Sequence, residues 1–439
     1  MRKQIIIGLT AAVAAVGGVR ADAVPEWQAK ARRDFADQRF GIFIHWGFYS
    51  MYAQGEWYQL SSKAKRQDYA QAMHGFCPAA FDAKKWVAAF KDAGAKYVTF
   101  TSRHHDGFSM FESRFSGGYD ILHTPFKRDV CKELADACHA AGVQINFYYS
   151  LMDWWRTDYP IGEYSSNLGD KAANANANYD TYKRFMLDQL GELLSEKYAP
   201  VGCIWMDGEG DHFDDRANAL PNGWDFDSIY DLIHSRGALV GNNNNHPTRE
   251  KEDIQFFEMT KSAGIAGARA TGNGKPFERC STMQKHVWGY KLTGEFYTPE
   301  EMVALLVRNA AKGVNLLLNV GPRADGDLPP EAYAILKAMG AWMRRNGESV
   351  YATDAGEVSA GDGIVSTTGR DGTLYLHFVD PVLKSFAFKP PRRIASAVCL
   401  ATGKAEKVET TPSGDAVITI AREAGDGFDH VVRVTLEEP

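Results

Sequence analysis

Residues 39–58, RFGIFIHWGFYSMYAQGEWY, open as a buried strand and then place His45, Trp46, Glu56 and Trp57 at and just beyond its end. Five apolar or small residues followed by that cluster admit two readings: a core strand with an aromatic loop, or the floor of a sugar pocket. The pattern recurs along the chain. Short apolar runs at 41–47, 96–102, 144–150, 202–208, 238–243 and 315–321 alternate with helical patterns from about residue 40 to 350. Continuous apolar strands separated by helices indicate a parallel sheet covered on both faces. An open doubly wound sheet and a closed barrel both satisfy that alternation. The open sheet carries a Gly-rich phosphate turn after its first strand, and this chain has none. Polar and aromatic residues instead stand at strand ends, at His45–Trp46, His104–His105, Tyr148–Tyr149, Asp207 and Asn242–Asn245. In a barrel those ends converge on one face. The fold class expected is α/β, a (β/α)8-like barrel over residues 24–350, of which six strands are identifiable.

Helix signals support the alternation. Trp86, Phe90 and Gly94 in DAKKWVAAFKDAGA suit an amphipathic helix with a glycine stop. In TPEE, Thr298 caps, Pro299 takes the first position and Glu301 completes a capping box, with Gly313 as the stop. After residue 350 the pattern changes to short alternating strands with Gly/Asp turns (GIVSTTGRDGTLYLHFVDP, AVCLATG, DAVITIA, HVVRVTLEE), which reads as a small C-terminal β-sandwich over 351–439.

A net charge of −6 without a Lys/Arg cluster makes nucleic acid an unexpected partner. The N-terminus reads as an export signal over residues 1–23: MRK, the apolar run IIIGLTAAVAAVGG, then ADA as a small-x-small cleavage site. No later stretch approaches the ~20 apolar residues a membrane span needs. The mature chain is expected in the periplasm or secreted, without stable membrane insertion. Six scattered cysteines make no disulfide scaffold, and Cys131 and Cys138, seven residues apart on one helix, are about 10 Å apart, too far to pair.

Three segments carry candidate chemistry. CIWMDGEGD delivers Asp207 to a strand end with Trp205 two residues earlier on the same side. A carboxylate there can attack an anomeric carbon while an aromatic face packs on a sugar. The alternative is a helix cap, and Glu209 or Asp211 takes the role if the register shifts. In TSRHHDGFSMF, His104 and His105 suit hydroxyl binding. A metal site of His45, His104, His105 and Asp106 is the rival, disfavoured because neighbouring strand residues face opposite ways and no HExxH-like spacing is present. A second carboxyl is offered by Glu258 in EDIQFFEMTKSAG or Glu278 in PFERCSTMQKHVWGY, in a region read as loop.

FGIFIHWG…GEWY, AGAKYVTFTSRHHDGFSMFES, IWMDG, WGY at 288–290 and NLLLNVGPRADGDLPPE resemble, in the same order, glycoside hydrolase family 29, the retaining α-L-fucosidases. The resemblance covers about residues 26–350. It implies Asp207 as the nucleophile, a fucose pocket of His45, Glu56, Trp57, His104, His105, Tyr148, Trp205 and Trp288, and a fucosylated glycan as the partner, with no metal or cofactor. The family's acid/base matches Glu258 in FFE or Glu278 in FERC, with Glu258 favoured. Where members carry an arginine that contacts the sugar, this chain has GNNNNHP, so Asn243 or Asn244 substitutes or the contact is missing. Two other functions stay open: a retaining glycosidase for a related sugar such as a galactoside, and a catalytically silent carbohydrate-binding protein.

Overall fold

A computed structural model describes residues 24–437 apart from 163–164, 166–167, 169–172, 213–223, 245, 247, 260–273 and 423–427. The expected export signal lies outside the described residues. Among these, no helix is long and apolar enough to cross a membrane.

Eight parallel strands make the barrel: β1 (Phe40–Ile44), β2 (Tyr97–Arg103), β3 (Gln144–Ser150), β4 (Cys203–Asp207), β5 (Leu239–Asn242), β6 (Gln255–Glu258), β7 (Phe277–Thr282) and β8 (Val314–Val320). Their order is β5-β4-β3-β2-β1-β8-β7-β6. Six coincide with the apolar runs. β6 and β7 correct the loop reading of the region around Glu258 and Glu278. β6 is only four residues long. In β7 the inward residues Glu278, Cys280 and Thr282 are buried, whereas Phe277, Arg279 and Ser281 stay half-exposed. A strand covered on one face only does not show the continuous apolar run by which its neighbours were recognised.

Residue parity sorts each strand into two cores, because successive side chains face opposite sides. Ile42, Ile44, Val98, Phe100, Ile145, Phe147, Ile204, Met206, Val240, Leu316 and Leu318 pack outward against the helices. Phe43, Tyr97, Tyr148, Cys203, Trp205, Leu239, Phe256, Cys280 and Leu317 fill the lumen, which Phe35 of the N-terminal helix Glu26–Gln38 also enters. Continuing the inward set to the strand ends reaches His45, Asp207, Asn243, Glu258 and Asn319. Parity thus carries five polar side chains to one mouth.

The two short strands β5 and β6 leave a seam, which Asp253 ties. Its N–H donates to the Val240 carbonyl (2.7 Å) and its carboxylate accepts the Val240 N–H (2.8 Å). Arg32 (2.9 Å) and His234 (2.8 Å) hold the same carboxylate.

The capping box at Thr298 and Glu301 is present on helix Pro299–Ala310. That helix ends three residues before Gly313, whose φ of +63° serves the turn into β8 instead of a direct cap. Beyond the barrel, β9 (Thr353–Ala355), β10 (Ile364–Gly369), β11 (Leu374–Phe378), β12 (Ser385–Phe388), β13 (Ile394–Cys399), β14 (Lys407–Thr410), β15 (Ala416–Thr419) and β16 (His430–Leu436) form antiparallel sheets of five and three strands around a core of their own.

Candidate active site

At the C-terminal mouth of the barrel lies a cavity of about 240 Å³, lined by Phe43, His45, Trp57, His104, His105, Tyr148, Met152, Trp205, Asp207, Gly208, Gly210, Asn243, Asn244, Glu258, Cys280 and Trp288. That volume is small beside the ~300–1,000 Å³ of drug-sized sites and suits one sugar ring.

Asp207 ends β4. Its Oδ2 accepts the Tyr148 hydroxyl (2.9 Å), its Oδ1 accepts Asn243 Nδ2 (3.1 Å), and the Gly208 N–H adds a backbone bond. Burial raises the Asp207 pKa, and these donors oppose the rise. The carboxylate therefore faces the cavity, not a helix N-terminus. Asn243 Nδ2 also donates to Glu258 Oε2 (2.8 Å), while Asn243 Oδ1 accepts the Asn244 N–H (2.9 Å), which fixes the amide's orientation. The two carboxylate oxygens bonded to that one nitrogen are at most the sum of the two distances apart, 5.9 Å. With amide hydrogens ~120° apart the separation is about 5 Å. Retaining glycosidases hold their carboxyls ~5–5.5 Å apart and inverting ones ~6.5–9.5 Å. Burial raises the Glu258 pKa first and the Asp207 charge adds to it, against bonds from Asn243 and the Trp288 indole. Burial thus raises both carboxyls against their donors, and Glu258 alone carries the neighbouring Asp207 charge as a further push towards holding its proton.

The histidines are set as hydroxyl binders. His45 Nδ1 meets Asn319 Oδ1 at 2.7 Å, and Asn319 Nδ2 donates to the Trp288 carbonyl (2.7 Å). With Asn319 oriented by that carbonyl, His45 Nδ1 is the donor. Burial lowers the His45 pKa to about 3 despite Asn319, so Nε2 is left as an acceptor. Burial and the neighbouring His105 and His45 likewise hold His104 far below the usual range. Ser150 donates its hydroxyl hydrogen to the Met152 carbonyl (2.8 Å), so His105 Nδ1 donates to Ser150 Oγ (2.7 Å). His105 Nε2 then stands 3.6 Å from Asp207 Oδ2. His104 and His105 both line the cavity, with ring centroids 4.1 Å apart. They lie beyond the end of β2, where strand alternation no longer applies, which corrects the opposite-face argument.

Aromatic rings make the walls. Trp205 stacks between Phe256 (4.8 Å) and Tyr148 (5.6 Å), Trp288 lies 5.1 Å from His45, and Trp57 meets His105 edge-on at 5.2 Å.

Three residues expected at the site, Trp46 and Glu56 in the pocket and Glu278 as an acid/base candidate, lie elsewhere. Trp46 faces outward among Phe76, Phe81 and Trp86. Glu56 is buried behind the wall, where its Oε2 accepts the Gly289 N–H (2.6 Å), so it anchors the loop that carries Trp288. Gly289 permits this approach, since a Cβ there would stand 2.9 Å from the Glu56 nitrogen. Glu278 lies one inward position below Cys280, beneath the cavity, and accepts from Tyr97 (2.6 Å) and Trp205 (2.9 Å). Burial raises its pKa to about 7, but Trp205 stands between it and the sugar space. Glu209 is bound by Arg249 and Asn242, and the Asp211 side chain lies outside the described residues. Sequence reasoning missed Phe43, Cys280, Met152 and the orienting residues Asn319 and Ser150. Phe43 and Cys280 follow from counting back or forward by two from His45 and Glu278, once both segments are known to be strands.

The alpha-L-fucosidase family model matches residues 14–348. The chain is 30% identical over 361 residues to the plasma alpha-L-fucosidase of Rattus norvegicus, covering 75% of this chain and 73% of that one. It is similar in structure to alpha-L-fucosidase isoenzyme 1 from Paenibacillus thiaminolyticus (TM-score 0.81, 30% identity, 94% of this chain and 100% of that one). It is similar as well to a GH29 alpha-L-fucosidase from Bacteroides thetaiotaomicron, trapped as a covalent intermediate in complex with 2-fluoro-fucosyl fluoride (TM-score 0.76, 26% identity, 93% and 96% covered). With a matching barrel, a one-sugar cavity and a carboxyl pair at its mouth, the chain belongs to the alpha-L-fucosidase family and is a glycoside hydrolase.

Proposed function

We propose that the chain is an exo-acting retaining α-L-fucosidase, exported to the periplasm or medium, that removes terminal α-L-fucose from glycans through a covalent glycosyl-aspartate. Asp207 attacks the anomeric carbon as Glu258 gives its proton to the departing oxygen. Esterification removes the Asp207 charge, which lowers the Glu258 pKa and lets the same residue, now a carboxylate, take a proton from the incoming water. His45, His104 and His105 hold ring hydroxyls before the barrier is reached, so positional entropy is lost in binding. Phe43, Trp57 and Trp288 offer an apolar wall to the methyl group of a 6-deoxy sugar.

The observation that carries this reading is the single Asn243 nitrogen shared by Asp207 and Glu258, because it keeps one oxygen of each carboxyl closer together than the ~6.5–9.5 Å of inverting enzymes, which supports a retaining mechanism. The test is turnover of an aryl α-L-fucoside beside its galactoside analogue. Wild type should prefer the fucoside, Asp207→Ala should lose about 10⁴-fold or more in kcat, and Glu258→Ala with azide should yield a fucosyl azide of the substrate's configuration. Preference for the galactoside would overturn the sugar assignment. Binding without turnover would overturn the catalytic one.

A further inference from the structure

We propose that the β-sandwich holds a zinc ion between Cys399, Glu406 and His430. Cys399 closes β13, Glu406 lies on the return arm of the hairpin that follows, and His430 opens β16. The thiol sulfur, a carboxylate oxygen and a ring nitrogen of the three lie within 4.8 Å of one another. Donors around a tetrahedral zinc, bonded at ~2.0–2.3 Å, stand about 3.3–3.8 Å apart, so the widest spacing closes by at most about 1 Å, while Glu406 Oε1 and His430 Nε2, 2.7 Å apart, open by about 0.6 Å to admit the ion.

The site is buried and its backbone is braced. Cys399 is 4% exposed, and the side chains of His430 and Glu406 are 2% and 3% exposed. Cys399 N–H donates to the Lys404 carbonyl (2.8 Å), Glu406 N–H to Ala397 (2.9 Å) and Leu400 N–H to Val431 (2.8 Å), so the three segments are cross-linked beside the donors. Glu406 Oε2 accepts the Ala421 N–H (3.0 Å), which aims Oε1 at His430 Nε2, 2.7 Å away. This carboxylate-oriented histidine next to a thiol is a mixed sulfur, nitrogen and oxygen donor set. It suits zinc and does not suit magnesium or calcium, which take oxygen ligands. Binding is proton-balanced: the Cys399 thiol proton leaves to solvent as the sulfur–zinc bond forms. The ion also takes the place of the hydrogen between His430 Nε2 and Glu406 Oε1; that proton passes through solvent to Nδ1, so the ring stays neutral, and a water completes four-coordination. None of the three residues lines the catalytic cavity, so the site stands apart from the fucosidase reading.

The test uses the untagged mature chain incubated with zinc sulfate and then passed over a chelating resin. Elemental analysis should find about one zinc per chain, with affinity at least tenfold weaker in Cys399→Ser and in His430→Gln while fucoside turnover persists in both. Should His430→Gln fail to fold, the conservative Cys399→Ser carries the comparison. Cobalt loading should give a thiolate-to-cobalt charge-transfer band in wild type that is absent in Cys399→Ser. Zinc below a tenth of an equivalent in wild type, or a cobalt band that survives Cys399→Ser, would overturn the proposal.

Discussion

Asn243 binds the two carboxyls to each other through one amide nitrogen. Its amide stabilises the ionised form of both Asp207 and Glu258, so its removal raises both pKa values. On the mechanism proposed above, the kcat/KM profile requires Asp207 ionised on its acid limb and Glu258 protonated on its alkaline limb. In Asn243→Ala both limbs should therefore move to higher pH. Hydrogen bonds to charged groups are worth ~1.5–3 kcal/mol, so kcat/KM at the wild-type optimum should fall about 10- to 100-fold. An unchanged profile would remove Asn243 from this role. Asn319 acts through others: it fixes the His45 tautomer and holds the Trp288 carbonyl. For Asn319→Ala, initial-rate kinetics should show KM raised about tenfold, the worth of one or two neutral hydrogen bonds, with a smaller change in kcat. Both asparagines were visible in NNNN and NLLLNVG, but their roles are set by partners on other strands and no local pattern encodes them.

At the level of elements, the barrel's weak place is the seam between β5 and β6, and Asp253 is its fastener. Burial alone would raise its pKa, but the bond and charge of His234, with Arg32 and Gln28, hold it below the usual carboxylate value. A group whose folded pKa is depressed contributes stability above its unfolded pKa, ~3.9, and loses it as pH falls through the folded value. Asp253→Ala should destabilise the chain at pH 7 by about 3–5 kcal/mol, because Arg32 and His234 lose a buried partner. In denaturant titrations the gap between variant and wild type should narrow as pH drops below about 4. A gap independent of pH would mean that packing, not charge, closes the seam. The strands flanking and following this seam show what the sequence hid. β1 to β5 and β8 are apolar on both faces and announce themselves, whereas β7 alternates Glu278, Cys280 and Thr282 with half-exposed partners. The loss of two strands from the reading also misplaced Glu278, whose depth below Cys280 is clear only once it sits on a strand.

The molecule as a whole joins barrel and sandwich through shared packing. Val365, Tyr375, Val379 and Val431 of the sandwich belong to the same apolar cluster as the barrel helices. Trp342 Nε1 donates to the Asp429 carbonyl (3.3 Å), Thr367 to Ser349 (2.6 Å) and Gly356 N–H to Ala311 (3.2 Å). Calorimetry should therefore show one cooperative transition, and truncation after residue 350 should expose that shared surface and yield aggregated protein. Two well-separated transitions would show that the sandwich is an independent module. The architecture was legible because it rests on hydrophobic period and on chemistry gathered at strand ends. The lengths of the short sandwich strands β9, β12 and β14 were not, since three or four residues with at most one buried leave too little pattern to read.

The account turns on Asp207 bonding to the sugar, and the most direct measurement is to trap that bond. Incubation with 2-fluoro-fucosyl fluoride, followed by proteolysis and mass spectrometry, should place one 2-fluorofucosyl group on the peptide containing IWMDG, at Asp207. A label on Glu258, Glu278 or Glu209, or no covalent adduct in enzyme that turns over an aryl fucoside with inversion, would contradict it.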